Sequence, residues 1–376
     1  MSEKIEKKQL FKIFNFNEAI EPPTYIYNEK RNIVEWGKTN LYPQELLEMY
    51  NYKGSSIHKA IINKKQKMVS GNGFKPITDP QLQQFIKKHK LEGEVKKASL
   101  DYELYNGFSF EIIWNKEGND YASFKHIPFQ KVRVGIEDED LPFKHYWIST
   151  DWSQYRSKRE EYKPQYIRAY NPLVKTGRQL YYYCEYNPEV EYYPIAGYST
   201  TLNWISADFE ISRFHLNQLR QGYQPSFILN FATGIPSEEE MDDYYKDFKR
   251  NYSGTENGGK IIITYSEGQD GKPELIPVQL NDSDERFLML KDLITENIVL
   301  GHEIPVQLLL LVPGKLGSTD ERIELLQDFQ STYIGPRQNN IEDSLNELLS
   351  NVGYTEQIQL REYSEPKITK PEIITQ

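Results

Sequence analysis

The chain has 376 residues and a formal net charge of −10, and 38% of its residues are hydrophobic and 13% aromatic. This composition suffices for a folded core in two or three domains and excludes a disordered chain, while the acidic balance argues against a surface that wraps nucleic acid. The single cysteine, Cys184, excludes an intrachain disulfide and a cysteine-based zinc site. We expect neither a membrane helix, which needs ~18 apolar residues, nor a signal peptide.

The N-terminal part of the chain combines a polar arm with two helical patterns. Residues 1–40 are polar and charged and contain Pro22-Pro23, so we expect an extended arm. Residues 41–52 predict a short helix, and a stronger one begins at the capping pair Ser55-Ser56 and ends at Gly71. We assign its lysines to the solvent-exposed face rather than to a nucleic-acid patch: Lys59, Lys64, Lys65 and Lys67.

The next hundred residues predict further helix and then a sheet. Residues 79–105 have a helical pattern interrupted by charged residues. Residues 107–114 and 122–127 alternate apolar and polar side chains around a short turn, which is typical of a β-hairpin. Shorter aromatic strands are expected at residues 132–134, 146–149, 166–170 and 180–186.

Residues 202–281 predict a helix followed by a small α/β unit. The helix covers residues 202–220, and a strand follows at 227–231. Ser237 and the three glutamates after it are typical of a helix start, because carboxylates suit the positive end of the helix dipole. Two further strands, linked by a glycine-containing turn, are expected at 260–265 and 274–280.

Two long helices and an apolar loop are predicted between residues 282 and 350. The first helix follows Asn281 and stops near Gly301, and the run from Val306 to Val312 follows it. Pro313 and the two glycines after it exclude regular structure in the loop. The second helix begins at Ser318 or Thr319. We expect it to kink at Gly335-Pro336, since proline lacks a backbone donor and restricts the residue before it.

No pattern in the sequence predicts catalysis. Gly254, Gly259 and Lys260 match a phosphate-binding loop, but Ile261 replaces the required Ser or Thr and the lysine enters a predicted strand, so we interpret this as a glycine-rich turn. The six histidines show no helical ligand spacing, and the many acids are typical of solvated faces. We therefore predict no catalytic residue, no metal site and no cofactor.

The order of these elements resembles the portal proteins of tailed phages, which are head–tail connectors. The resemblance rests on the order of four features: a helix, then Ile304-Pro305, then a loop that contains glycines, and then a helix interrupted by Gly335-Pro336. Two further signs are the strand–helix–strand–strand insertion before it and the hairpin that opens at Gly107. The resemblance implies an α+β portal fold with an N-terminal arm (1–40), wing (41–201), stem helix (202–223), α/β clip (224–281), second stem helix (282–303), tunnel loop (304–318), kinked helix (319–350) and C-terminal tail or rudimentary crown (351–376).

The resemblance also implies a function. Portal subunits form a homo-oligomeric ring, twelve copies by family resemblance, at one vertex of the virion capsid. That ring is the channel for packaging and ejection of double-stranded DNA. Its implied partners are other copies of itself, the major capsid protein, the terminase large subunit, a head–tail adaptor and DNA without sequence preference, with assembly in the host cytoplasm and no membrane. Two alternatives stay open: a non-portal ring or adaptor of the head–tail junction, and a nucleotide-dependent packaging enzyme.

Candidate site residues follow from the same resemblance. The tunnel loop would present Leu309, Leu310, Val312, Pro313, Gly314, Lys315, Leu316 and Gly317 to DNA, with Gly335 and Pro336 at the helix kink. The clip would contact terminase and adaptor through Phe227, Leu229, Phe231, Tyr244, Tyr245, Ile262 and Ile276. A buried helix-to-helix connection is the competing interpretation of the loop. We expect an acidic channel lining, because acids outnumber bases 55 to 45.

Overall fold

A computed structural model of the chain describes residues 24–137, 141, 144–157, 159–188, 191–220, 225–231, 260–265, 274–277, 283–309 and 319–363. The α-helices there are α1 (Tyr42–Glu48), α2 (Ser56–Ser70), α3 (Pro80–His89), α4 (Leu91–Tyr105), α5 (Leu202–Arg220), α6 (Ser283–Gly301), α7 (Thr319–Phe329) and α8 (Gly335–Ser350). The strands are β1 (Tyr25–Asn28), β2 (Ile33–Trp36), β3 (Gly107–Trp114), β4 (Tyr121–His126), β5 (Val132–Val134), β6 (His145–Ile148), β7 (Gln165–Ala169), β8 (Arg178–Cys184), β9 (Pro225–Phe231), β10 (Lys260–Tyr265) and β11 (Glu274–Pro277). None of the helices described is long and apolar enough to cross a membrane.

The second half of the predicted N-terminal arm belongs to the folded core. Strands β1 and β2 pair as an antiparallel hairpin, and the β2 residues Ile33, Val34 and Trp36 are buried. Glu35 made this strand look polar in the sequence, but its carboxylate is also buried and accepts hydrogen bonds from Asn28 and Tyr155. The expectation of an extended arm is therefore wrong for residues 24–40. Residues 1–23 lie outside the described part of the chain.

The helices of the first hundred residues follow their capping signals. The Ser55 hydroxyl accepts a hydrogen bond from the Ile57 amide at 3.1 Å and starts α2, as predicted. The predicted helix over 79–105 is two helices, because Lys90 adopts a left-handed conformation (φ 50°) between α3 and α4. The assignment of Lys65 to the solvent face of α2 is wrong, since Lys65 is buried against α4.

A six-stranded sheet of order β4-β3-β8-β7-β6-β5 packs against these helices. Its central strand β3 pairs antiparallel with both β4 and β8, so the predicted hairpin over residues 107–127 is present. The β7 and β8 strands are parallel and the other pairs are antiparallel. Phe108 and Phe110 of β3 lie in one core with Tyr102 and Tyr105 of α4, which explains the high aromatic content of this region.

A separate three-stranded sheet has the order β10-β9-β11. The two strands that the sequence linked by a turn do not pair with each other: β10 lies parallel to β9, and β11 lies antiparallel on its other side. Ile262 and Ile276 are both in register with Ile228, whereas Leu229 is in register with Ile263 and Leu275. Among the predicted clip residues, Phe227, Leu229 and Phe231 therefore occupy every second position of β9. Ile262 and Ile276 are in register with the position between the first two of these. Tyr244 and Tyr245, with the helix predicted from Ser237, lie outside the described residues.

Residues 354–363 form a strap without regular strand pairing. Among the described residues only a single bridge, between Phe74 and Leu360, has sheet pairing there. The strap follows residues 72–79: the Arg361 amide donates to the Gly73 carbonyl at 2.8 Å, and the Lys75 amide donates to the Gln359 carbonyl at 2.7 Å. Gly71 permits this approach, because its φ is 59° and a side chain there would overlap the Arg361 carbonyl.

Candidate functional site: the buried base of the 304–334 segment

The predicted tunnel loop begins in buried structure. After α6, Ile304 and Leu308 are buried, and residues Val306–Leu309 form a single 3-10 turn in which Leu309 is half-buried against the core. Of residues 304–309 only Ile304 and Leu308 are buried, and the assignment of Leu309 to a channel stays a prediction. The other predicted channel residues lie outside the described part of the chain: Leu310, Val312, Pro313, Gly314, Lys315, Leu316 and Gly317.

The second helix departs from α-helical geometry immediately before Gly335-Pro336. Residues Gln330–Ile334 form a π-helical turn between α7 and α8, and the Gly335 amide donates to the Gln330 carbonyl five residues earlier. Gly335 has helical torsions (φ −55°, ψ −52°), and Pro336 occupies the first turn of α8, where its missing donor costs least. The widened turn separates the proline ring from the preceding carbonyls. The bend angle at this position stays a prediction.

A buried charge cluster centred on Glu103 lies beneath this segment. The Lys65 ammonium is 3.2 Å from Glu103 Oε2, and the Arg337 guanidinium is 3.6 Å from Glu103 Oε1. The Tyr333 hydroxyl of the π turn donates to Glu103 Oε2 at 2.9 Å. Lys65 Nζ also lies 4.0 Å from the centre of the Tyr333 ring. One carboxylate therefore contacts two cations and an aromatic hydroxyl.

The charges in the cluster determine one another's ionisation. Burial alone would raise the pKa of the Glu103 carboxyl, but Arg337 and Lys65 outweigh burial and the pKa is lowered. Burial lowers the pKa of Lys65, and Glu103 opposes that shift. Burial also acts to lower the pKa of Arg337, but Glu103 together with Tyr333, Tyr102 and Glu185 outweighs burial, and the pKa is raised. Glu103 is therefore ionised in the interior, and removing it would leave two cations without their carboxylate.

Two histidines connect the cluster to the end of α6. His58 Nδ1 and His302 Nε2 are 2.9 Å apart, and Lys65 Nζ donates to the His302 carbonyl at 3.2 Å. Across this short contact one ring donates and the other accepts, so the two imidazoles cannot both be charged. Burial, together with Lys65, lowers the pKa of His58 to about 3 and that of His302 well below its ordinary value.

These contacts attach both ends of the intervening segment to the same carboxylate. At the first end, Lys65 joins His302 to Glu103, and at the second end Tyr333 and Arg337 reach Glu103 directly. The sequence analysis missed this arrangement. One signal was present: Lys65 continues the apolar spacing Ile61, Lys65, Met68 on α2, which places it on the buried face.

The site supports a mechanical role more than a chemical one. No cluster of His, Cys, Asp or Glu side chains suited to a metal ion occurs in the described ranges. Lys260 begins strand β10, as expected, so it does not open a helix as the lysine of a phosphate-binding loop does. What the geometry offers is a fixed anchor, one carboxylate shared by two cations, for the two ends of one segment.

Comparison with solved structures identifies chains of similar fold. A chain in the neck of the native gene transfer agent particle, computed with C12 symmetry, aligns over 88% of this chain and 85% of its own length, with a TM-score of 0.57 and 12% identity. A chain of the native gene transfer agent virion aligns over 85% and 83%, with a TM-score of 0.56 and 13% identity. A portal protein of an HK97-family phage from Corynebacterium diphtheriae aligns over 85% and 95%, with a TM-score of 0.48 and 11% identity.

No family model and no curated protein sequence matches the chain. At 12–13% identity the similarity establishes the fold, and it does not assign a role to any individual residue. The recognition from the sequence is confirmed at the level of the fold, because the chain shares its α+β fold with a chain of the gene transfer agent neck and a chain of the virion over most of its length.

Proposed function

We propose that the chain is the portal subunit of a tailed phage or a related particle, forming a homo-oligomeric ring through which double-stranded DNA is packaged and ejected. The observation that carries the proposal is the fold shared with a neck chain over 88% of this chain. The C12 symmetry of that neck supports a ring of twelve. By the same resemblance, the wing would contact the major capsid protein, and the clip would bind the terminase and a head–tail adaptor.

An exposed apolar stripe on α6 supports assembly of copies. Met289, Leu293 and Leu300 are 73%, 47% and 75% exposed, and their spacing places them on one side of the helix across three turns. The opposite side carries the buried Ile294 and Ile298. A helix with apolar side chains on both faces is typical of one that packs against its own chain on one side and a partner on the other.

The loop 310–318 is the part that we propose to meet DNA. The Glu103 cluster holds the chain at His302 before the loop and at Tyr333 after it. An apolar collar could contact DNA without fixed hydrogen bonds, so DNA could still slide. Lys315 is the cation of this loop that could contact a phosphate in passing. In a particle assembled with Lys315→Gln, we expect weaker retention of packaged DNA at high salt. Unchanged packaging and retention would remove this role from Lys315.

The test of the proposed function is the assembly state of the purified full-length chain. Native mass spectrometry and negative-stain images of one sample should show closed rings of about twelve with an axial hole. A non-portal ring or adaptor would also give rings. The distinguishing measurement is binding of the terminase large subunit, which we expect for a portal.

The competing packaging enzyme makes a different prediction. It requires ATP hydrolysis that is lost in Lys260→Ala, whereas a portal ring has no such activity. A strictly monomeric protein that hydrolyses ATP would overturn the proposal.

A further inference from the structure

A groove of about 580 Å³ lies beside the β1–β2 hairpin and is not part of the site described above. Its apolar surface includes Val34, Val134, Ile136 and Tyr182. Tyr27 and Tyr192 form one wall, with their hydroxyls 3.1 Å apart and their rings edge to face. Such a volume accommodates a few side chains of an extended peptide rather than a large ligand.

An unpaired strand edge lies next to the same groove, because Tyr27 of β1 lines it. Within the described residues, β1 pairs only with β2, so its outer edge has no strand partner. Ile26 and Tyr27 on β1 are 44% and 51% exposed. An open edge beside an aromatic groove is the arrangement that accepts an added strand, in which backbone hydrogen bonds supply affinity and pockets supply specificity.

The chain contains a segment whose chemistry fits this groove. Residues 10–16 read Leu-Phe-Lys-Ile-Phe-Asn-Phe, five of seven apolar, with high strand propensity. Residues 1–16 carry four lysines and two glutamates, while the groove presents Glu137 and Glu191 against one lysine, Lys144. The basic, aromatic segment therefore complements an acidic, aromatic groove.

We propose that this groove binds the N-terminal segment, centred on residues 10–16, of a second copy of the chain. A second copy is favoured over the same chain because the sequence has Pro22-Pro23 directly before β1, and consecutive prolines disfavour a tight reversal into the adjacent groove. In a closed ring every subunit offers one groove and one segment, so the contact repeats head to tail. The inference rests on the ring of the proposed function.

Site-specific photocross-linking of the full-length chain tests the contact. The probe p-benzoylphenylalanine replaces Phe14 in one protein and Phe11 in a second, so that both faces of an extended segment are sampled. Ring formation is measured before irradiation. We expect covalent dimers on denaturing gels, with the cross-linked peptides covering Val134–Glu137 or Tyr182–Cys184.

Charge reversal at the groove supplies the matched control. Glu137→Lys with Glu191→Lys should lower the dimer yield at least about fivefold, because two attractive contacts become repulsive. The same change at two exposed acids elsewhere, Glu160→Lys with Glu161→Lys, should leave the yield unchanged.

The outcomes separate the inference from the proposed function. Intact rings that cross-link only within one chain, only at other surfaces, or not at all overturn the inference and leave the portal proposal standing. Failure of the unmodified protein to form rings overturns the proposed function, and with it the inference.

Discussion

At the scale of single residues, Glu103 is a carboxylate that the fold places in the interior. It receives a hydrogen bond from Tyr333 and ion-pairs with Lys65 and Arg337, and the side chain is fully buried. Buried ion pairs contribute little net stability compared with apolar packing, but breaking one leaves an uncompensated charge. The main effect of the cluster is therefore to fix the positions of the chain segments that carry Lys65, Glu103, Tyr333 and Arg337.

Neutralising the carboxylate should be costly. We expect Glu103→Gln to lower the free energy of unfolding by about 3–5 kcal/mol, because Lys65 and Arg337 lose their counter-charge in the interior. Urea unfolding followed by circular dichroism measures this. Tyr333→Phe, which removes one hydrogen bond to a charged acceptor, is the matched comparison and should cost about 1.5–3 kcal/mol.

A double-mutant cycle checks whether the pair acts as a unit. Adding Lys65→Met to Glu103→Gln should restore part of the loss, with a coupling of at least about 1 kcal/mol. Strict additivity would show that the two groups are independent and would contradict the cluster as described.

The paired histidines give a pH dependence with a definite sign. The pKa of His58 is lowered to about 3 in the folded chain, while the pKa of a histidine in the unfolded chain is about 6.5. Between these values the unfolded state binds more protons, so stability is complete above the unfolded pKa and falls as pH drops below it. Each neutral histidine contributes at most about 1.4 kcal/mol per pH unit in this window.

Thermal unfolding between pH 5 and pH 8 measures that slope. We expect His58→Gln and His302→Gln each to flatten it, because each removes one group that the folded state holds neutral. A slope equal to that of the unsubstituted protein in both variants would contradict the assignment.

At the scale of elements, the end of α6 is fixed by a close approach to the segment before α5. A methyl group built at Gly301 would overlap Thr201 Cγ2, and Thr201 itself donates from its hydroxyl to the Tyr198 carbonyl at 2.8 Å. Glycine is therefore required for packing at this position rather than for an unusual torsion.

Gly301→Ala should destabilise the protein, and one partner substitution should relieve it. Overpacking of a filled interior costs about 1–3 kcal/mol. Thr201→Ser removes the overlapping methyl and keeps the hydroxyl, so the double variant should recover part of the loss in a denaturant titration. If the double variant were no more stable than Gly301→Ala alone, the overlap with Thr201 would not be the cause.

The π turn and the C-terminal strap meet at one surface of α8. A second groove of about 530 Å³ there is lined by Gln330 and Gln338 and by Leu360 of the strap. The Asn346 side-chain amide donates to the Ile358 carbonyl at 3.0 Å and accepts from the Ile358 backbone amide at 2.8 Å. These two bonds attach the strap to α8 at the buried residue Ile358. The strap therefore covers this face of α8.

At the scale of the whole molecule, the exposed stripe on α6 connects the single chain to the proposed ring. Leu293→Glu with Leu300→Glu should abolish ring formation, because carboxylates would be buried in the contact between copies. Native mass spectrometry detects the loss. Since both side chains are exposed in the single chain, the melting temperature of the monomer should change little.

The matched control is the same substitution at an exposed leucine outside the stripe. Leu173 is 89% exposed in the connection between β7 and β8, and Leu173→Glu should leave the ring intact. Rings that persist in the stripe variant would show that α6 is not an interface between copies.

The sequence by itself determined the elements whose signals are local. The serine cap of α2, the alternation in β3 and β4, and the helices on either side of the 304–318 loop were all predicted close to their positions, because caps and periodicity act within a few residues. The order of those elements was also sufficient to recognise the connector fold.

Tertiary structure decided what depends on distant partners. His58 and His302 are 244 positions apart, and Glu103 and Tyr333 are 230 apart, so no local pattern could indicate that they touch. The burial of Lys65, the folding of residues 24–40 into a hairpin and the central position of β9 have the same cause. Each of these features depends on which surfaces meet once the chain is compact. The free energy of burying a charge or pairing a strand edge is set by the group that it contacts in space rather than by its neighbours in the sequence.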